Sequence, residues 1–435
     1  MQYTLNRLGI TDLNVMQNDM LRQMRRSSNV VLLSPTGSGK TLAYLLPVIE
    51  SLDEKPFQAL VIVPSRELAI QTCEVATKAG IGLRCVACYG GRPAMDEHRT
   101  MRGVQPHLIV GTPGRLLDHI QKDNFPVEGL RTLVIDEFDK SLELGFQQQM
   151  SDIIRLLPAV NRRILLSATD NEQIPSFVGA EKPERLSYLD DEQVPSSITL
   201  QTLRSPQKDK LQTLFELLCH LGDSKSLVFV NYRESVERTA SYLQSASISA
   251  DFFHGGMEQR DRERALFRFS NGSCNVLVST DLAARGLDID DVDCIIHYHL
   301  PLGEDAYIHR NGRTARWDKV GRAVMLLGPE EFLPAYIEHP DEVARLSLPT
   351  RLPAPARPRL TTLYIGKGKK DKISRGDIMG FLSKTGGLQR EQVGRIDVKD
   401  QWSYAAVETS CVRTLLPRLK GQKIKGIKTI VSVAK

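Results

Sequence analysis

At 435 residues the chain is too long for one core and calls for two domains of ordinary size with a smaller third. Its 41% hydrophobic and 25% charged composition, with no apolar run of roughly 18 residues and no basic-then-apolar start, excludes membrane insertion and secretion and leads us to expect a cytoplasmic protein. The net charge of +5 is uneven: residues 361–435 hold 16 Lys or Arg against 6 Asp or Glu, net +10, leaving −5 for the rest, the footprint of a mildly acidic body with a polyanion-binding tail.

Residues 1–190 alternate short apolar runs with longer segments of helical period. The runs are NVVLLS (29–34), ALVIVP (59–64), LRCVACYG (83–90), HLIVGT (107–112), TLVIDE (132–137) and RRILLSAT (162–169). Runs apolar throughout, instead of alternating, indicate strands buried on both faces of a parallel sheet. Cys85 and Cys88 form a C-x-x-C, but no second pair or flanking histidine completes a zinc site, and the seven scattered cysteines read as reduced thiols. The polar, Pro-punctuated segment 181–197 reads as a flexible hinge.

The pattern restarts in 196–345 with KSLVFVN (225–231), ISADFFHG (248–255), CNVLVST (274–280), CIIHYHLP (294–301) and GRAVMLLG (321–328), giving a second α/β domain. Residues 346–360 carry four prolines between 349 and 358 and read as a semi-extended tether. Residues 361–435 then run strand, helix, strand, strand, helix, strand, the order of an RNA-recognition-motif (RRM) fold. The predicted fold class is two tandem parallel-sheet α/β domains followed by a small RRM-like α+β module.

Two of the apolar runs end in chemistry. Backbone N–H groups can converge on a phosphate only in a loop free of obstructing side chains that feeds a helix, and Ser34, Pro35, Thr36, Gly37, Ser38, Gly39, Lys40 and Thr41 supply one. Lys40 would meet the β- and γ-phosphates of a nucleotide, and Thr41 would hold Mg²⁺. The run TLVIDE ends at the carboxyl edge of the sheet, where open α/β folds place ligands. There Asp136 would position hydrated Mg²⁺ and Glu137 would orient and deprotonate the attacking water.

The whole set of motifs resembles the DEAD-box RNA helicases, in order, over residues 9 to about 325. The matching words are Gln17 in GITDLNVMQ, the loop SPTGSGKT, PSRELA (64–69), Gly90 and Gly91, TPGR (112–115), DEFD (136–139), SAT (167–169), VFVN (228–231), QRDR (259–262), STDLAARGLD (279–288) and HRNGRTAR (309–316). The resemblance implies two RecA-like domains and ATP as the nucleotide. Gln17 would read adenine, and Asp288 would contact the ribose. Arg313 and Arg316 would act as arginine fingers on the leaving γ-phosphate, so that hydrolysis depends on domain closure. Asp139, Ser167, Thr169 and His309 would couple hydrolysis to unwinding, with Arg310 a structural member. Arg66, Gly91, Thr112, Arg115 and Thr280 would hold RNA by its backbone without reading bases.

The chain also departs from that family. Phe138 stands where the family has alanine; because the chemistry lies on the flanking carboxylates, the expectation is a working site with a small residue beside the ring to offset overpacking. Leu13, Asn14, Val15 and Met16 replace the usual segment before Gln17, and the aromatic normally upstream has no counterpart, which bears on adenine selectivity.

The tail resembles the RNA-binding domain carried by a bacterial subgroup of these helicases directed to large-subunit ribosomal RNA, through KISRGDIMGFLSKTGGL, VGRIDVKD, YAAVE and LKGQKIKGIK. Lys367, Lys369, Lys370, Lys423, Lys425 and Lys428 are its candidate phosphate contacts, Lys367, Lys423 and Lys425 foremost. Trp402 and Tyr404 alternate in one central strand, and two readings remain open for them: stacking on bases, or core packing of one ring with exposure of the other. An unwinding enzyme that acts as a monomer is expected; an ATP-gated RNA clamp, a general RNA remodeller or a DNA helicase would share most of these motifs.

Overall fold

The computed structural model describes residues 7–35, 37–169, 174–189, 198–284, 292–314, 321–337 and 339–434. Of the predicted site residues, Thr36, Asp288 and Arg316 lie outside the described residues. The chain divides into two compact units, with the division along the sequence falling near residue 195.

The first unit is built on a seven-stranded parallel sheet in the order Cys85–Cys88, Leu108–Gly111, Ala59–Ile62, Thr132–Ile135, Arg162–Ser167, Asn29–Leu33, Glu184–Ser187. Along Asn29–Leu33, Val31 and Leu33 join one hydrophobic cluster while Val30 and Leu32 join another. The central strands therefore bury both faces, the physical reason the sequence shows continuous apolar runs. The cysteine pair is two residues of a short edge strand, as expected. The predicted hinge needs correction: Glu184–Ser187 inside it pairs in parallel with residues 30–33 as an edge strand. Its polar composition hid it, because an edge strand is half solvated and needs no apolar run.

The second unit repeats the plan. Its parallel sheet runs Ala250–Phe253, Val276–Ser279, Ser226–Phe229, Cys294–His297, Gly321–Leu327, Ile198–Arg204, Ala344–Arg345. Ile198–Arg204, which sequence patterning passed over, pairs along its whole length with Gly321–Leu327. It alternates polar and apolar residues, because only part of it is buried.

The same unit carries the RRM-like module, an antiparallel sheet ordered Val393–Val398, Ser403–Glu408, Leu360–Ile365, Val431–Val433. Helices Arg375–Lys384 and Val412–Leu419 cover one face over a core of Leu363, Ile365, Phe381, Ala405, Val407 and Leu419. The strand period of two turns Thr362, Tyr364, Arg395 and Tyr404 to the opposite face.

Candidate nucleotide site and RNA-facing surfaces

The phosphate loop leaves the buried strand Asn29–Leu33, with the amide of Ser34 donating to the carbonyl of Ser167 on the neighbouring strand (3.1 Å). Gly39 has φ +92° and caps the helix Lys40–Ser51. A side chain there would be strained by the backbone and would meet the Gln17 amide at 2.6 Å. The loop is closed by the Ser34 and Ser38 hydroxyls (2.5 Å), and the Lys40 ammonium donates to the carbonyls of Ser34 and Pro35, the latter at 2.8 Å. Lys40 is thus a buried cation at the start of a helix, where an anion gains from both the charge and the helix dipole.

Gln17 sits against this loop. Asn14 caps the helix Val15–Gln23 in a reciprocal box: its side chain accepts from the Gln17 amide (2.9 Å) while the Gln17 side chain accepts from its own (3.0 Å). Asn14 Nδ2 also donates to the Ser38 carbonyl (3.0 Å), and Gln17 Nε2 reaches the Gly39 carbonyl (3.4 Å). The altered segment before Gln17 therefore still fixes the glutamine on the loop, through Asn14. Sequence reading missed that residue, although Asn three positions before Gln is a capping-box signature.

Asp136 and Glu137 follow the strand Thr132–Ile135 directly. Burial, with the charge of Glu137 next to it, lifts the Asp136 carboxyl from its ordinary range to about 7, against the opposing pull of Lys40, the Glu137 amide and Tyr44. A carboxyl held this way gains from a cation beside it. Glu137 has φ +48°, a left-handed conformation that non-glycine residues enter at a cost of order 1–3 kcal/mol, held at the start of the helix Phe138–Glu143. Asp139 is buried and accepts from the Thr169 hydroxyl (3.1 Å); Ser167 Oγ accepts from the Thr169 amide (3.1 Å) and donates to its carbonyl (2.6 Å). The predicted coupling residues Asp139, Ser167 and Thr169 thus form one hydrogen-bonded group across two strand ends.

Phe138 points into the core, 4% exposed, in a cluster that includes Ile135, Met150 and Leu165. The other buried members of that cluster, among the described residues, are Val, Leu, Ile, Met, Phe and one Cys, with Ala180 packed against it. The ring is accommodated as an ordinary core residue at the start of the helix Phe138–Glu143.

Along the same sheet edge, Arg66 begins the helix Arg66–Ala79 and its guanidinium lies against Gly91, where φ is +90° and any side chain would collide with it. Thr112 caps the helix Pro113–Gln121, and Arg115 in its first turn donates to Glu97 (2.9 Å) and to the Arg92 carbonyl (2.8 Å). In the second unit Thr280 follows the strand Val276–Ser279 and is nearly buried. Arg310 is fully buried, paired with Asp281 (2.5 and 2.8 Å), Asn231 (2.9 Å) and the His299 carbonyl (2.6 Å). This supports its reading as a structural residue, while His309 and Arg313 lie beside it, each 4% exposed.

The aromatic face of the module is occupied. Tyr404 is 1% exposed and stacks on Phe267 of the helix Gln259–Ser270 (5.3 Å between ring centres). Arg260 of that helix lies over Tyr364 (4.8 Å) and Trp402 (5.6 Å). Asn271 donates to Thr362 (2.9 Å), Thr362 to Ser273 (2.9 Å), and Arg395 to Ser270 (3.3 Å). For Tyr404, stacking on RNA bases gives way to packing against the second α/β domain, while Trp402 is half-buried beside Arg260. Of the lysines, Lys367 pairs with Asp371 and Lys425 with Asp377, both at 2.9 Å, while Lys423 is exposed beside them in a short hairpin.

Two tandem RecA-like sheets, a phosphate loop and paired carboxylates at the carboxyl edge of the first sheet define a nucleotide-hydrolysing helicase core. The chain matches the models of the DEAD/DEAH box helicase domain over residues 14–176, the helicase conserved C-terminal domain over 209–318 and the DbpA RNA binding domain over 362–433. It is 35% identical to the ATP-dependent RNA helicase DbpA of Escherichia coli, covering 97% of this chain and 94% of that protein. It is also 32% identical to the ATP-dependent rRNA helicase RRP3 of Meyerozyma guilliermondii over 83% and 77% of the two chains. The fold is shared with S. cerevisiae Dbp5 solved with RNA and ADP BeF3, at a TM-score of 0.69 and 24% identity, over 79% of this chain and 92% of that one. The chain therefore belongs to the DEAD-box ATP-dependent RNA helicases, ATP-hydrolysing enzymes that bind RNA, and it has the domain set of DbpA.

Proposed function

We propose that this helicase separates short RNA duplexes locally and that its module directs it to large-subunit ribosomal RNA during ribosome assembly. The observation that carries the reading is the pairing, in one chain, of a hydrolytic site with a basic module of the DbpA type, whose net charge of +10 is set against −5 elsewhere. The rRNA helicase named among the relatives supports the same substrate class.

In this reading Lys40 and the loop amides bind the phosphates of ATP, Gln17 meets the adenine, and Glu137 orients and deprotonates the attacking water. The hydroxyl of Thr41 and the carboxylate of Asp136 are hard oxygen donors that suit Mg²⁺, and the raised Asp136 carboxyl would regain its charge beside a cation. The ion would neutralise charge on the phosphates. Arg313 and Arg316 serve as the fingers, Asp288 as the ribose contact, and Asp139, Ser167, Thr169 and His309 as the coupling set. Arg66, Gly91, Thr112, Arg115 and Thr280 hold one strand by its backbone, which gives affinity without base preference. Lys367, Lys423 and Lys425 anchor the targeting RNA. We further propose domains at 1–190, 196–345 and 361–435 joined through 346–360, and a monomer working in the cytoplasm. Among the described residues no helix is long and apolar enough to cross a membrane.

The test is ATP hydrolysis with no RNA, a generic single strand, or a fragment of large-subunit ribosomal RNA, for the full chain and for a chain ending at Arg357, together with displacement of a short duplex. Stimulation chiefly by the ribosomal fragment, lost on truncation, is expected. Equal stimulation by any strand would leave a general RNA remodeller, and hydrolysis without displacement an ATP-gated clamp.

A further inference from the structure

A buried carboxylate in the first domain has a role that the motifs do not assign. Glu97, on the helix Ala94–Val104, is 1% exposed and accepts four hydrogen bonds. Its Oε1 accepts from the Tyr89 amide (3.0 Å) and Arg92 Nε (2.6 Å), and its Oε2 from Arg115 (2.9 Å) and His119 Nε2 (2.8 Å). The side-chain amide of Asn124 faces His119 Nδ1 at 2.8 Å, which leaves Nε2 as the donor to Glu97. Burial pushes the Glu97 carboxyl up, but the bonds from His119, Tyr89 and Arg92 outweigh it and hold the group below its ordinary value.

Cys88, Glu97 and His119 place one ligand atom each within 4.8 Å of one another, a geometry that invites a metal reading. The donors argue against it. The four lone-pair directions of the carboxylate are already taken, two of them by cations, and burial with the Glu97 charge pushes the Cys88 thiol away from the thiolate a metal needs.

What the carboxylate does hold is three segments of one sheet edge: the turn at Tyr89 that leads into Gly90 and Gly91, Arg92, and the first turns of the helix carrying Arg115. Arg115 is gripped from two sides, by Glu97 through Nη1 and by the Arg92 carbonyl through Nη2, so its guanidinium plane is set while 13% of the side chain stays exposed. We infer that Glu97 is the positioning residue of the RNA-binding edge of the first domain, presetting Arg115 and the Gly90–Gly91 turn for consecutive phosphates of a single strand. The inference rests on the reading that Arg115 meets the RNA backbone. A preset cation loses less freedom on binding than a free one, so the effect belongs in RNA affinity and not in the chemical step.

The test is RNA-stimulated ATP hydrolysis by the full chain with Glu97→Gln, Arg115→Ala and both together, using a generic single strand. Glu97→Gln keeps the shape of the side chain and removes its charge. It is expected to raise the KM for RNA about tenfold with kcat at saturating RNA within about twofold, and to add little on top of Arg115→Ala. A KM unchanged by Glu97→Gln but raised by Arg115→Ala would overturn the inference and leave the RNA surface standing, as would fully additive effects. A KM unchanged by Arg115→Ala would overturn the RNA-surface reading itself. If Glu97→Gln fails to fold, Glu97→Asp, charged but one methylene short of its four donors, carries the same expectation, and a wild-type KM for it overturns the inference.

Discussion

At the scale of single residues, the proposed chemistry falls on Asp136 and Glu137, and Phe138 next to them is buried in the core. Because Glu137 is assigned the proton of the attacking water, Glu137→Gln should lower the ATP turnover by about 10²–10⁴-fold with nucleotide binding retained, as read by turnover and by equilibrium binding of ATP. Phe138→Ala should act differently, costing on the order of 3–5 kcal/mol of stability for a buried ring while leaving hydrolysis within about tenfold. A larger loss of turnover in a folded variant would tie the ring to catalysis.

A pH effect belongs to this scale as well. Burial, with Arg310 beside it, lowers the pKa of His297 to about 3, against the bond from Asn311 that raises it. The folded protein holds this imidazole neutral, so its contribution is present above the unfolded pKa and is lost as pH falls from about 6.5 toward 3. Stability should drop by about 2 kcal/mol between roughly pH 7 and 5 from this group, and His297→Gln should flatten that slope in denaturant melts.

At the scale of elements, two short helices decide how remote segments meet. The first, Val15–Gln23, is tied to the phosphate loop by Asn14, and Asn14→Ala should cost about 1 kcal/mol through loss of the capping box. The second, Gln259–Ser270, carries QRDR at its start and seats the module along its length, with Arg260 over two rings and Phe267 under a third. Arg260→Ala should remove about 0.5–2 kcal/mol of cation–π attraction and shift the emission of Trp402 to the red, measured with Trp317→Phe to leave a single indole. An unchanged spectrum would show that Arg260 contributes nothing to the seat.

Much of this architecture was legible beforehand. The loop from Ser34 to Thr41 and the carboxylates at 136 and 137 can be read because a phosphate cradle and a strand-end acid each need particular residue types at fixed local spacing. The edge strand Glu184–Ser187 and the partly exposed Ile198–Arg204 escaped, since half-solvated strands carry no continuous apolar signal. Tyr404 escaped for another reason: a ring on the outward face of a sheet has the same pattern whether a base or a neighbouring helix covers it.

For the whole molecule, charge separation and covalent linkage set the behaviour. With the module's aromatic face packed on its own chain, the reading proposed above gives the exposed Lys423 of its short hairpin a phosphate contact. Lys423→Ala should weaken binding of a ribosomal RNA hairpin and reduce the slope of log affinity against log salt by about one. A slope unchanged by that substitution would remove Lys423 from the contact.

What the sequence by itself determined is the engine and its order: nucleotide loop, acidic pair, arginine-bearing motif and basic tail, because each is a local run of residues whose chemistry does not depend on what lies opposite. Only the tertiary structure decided which face of the module is free, that Asn14 seats Gln17, and that Glu97 binds Arg92, Arg115 and His119 into one cluster. Those are contacts between residues distant along the chain or on different elements, and they exist only once the sheets bring the side chains within hydrogen-bonding reach.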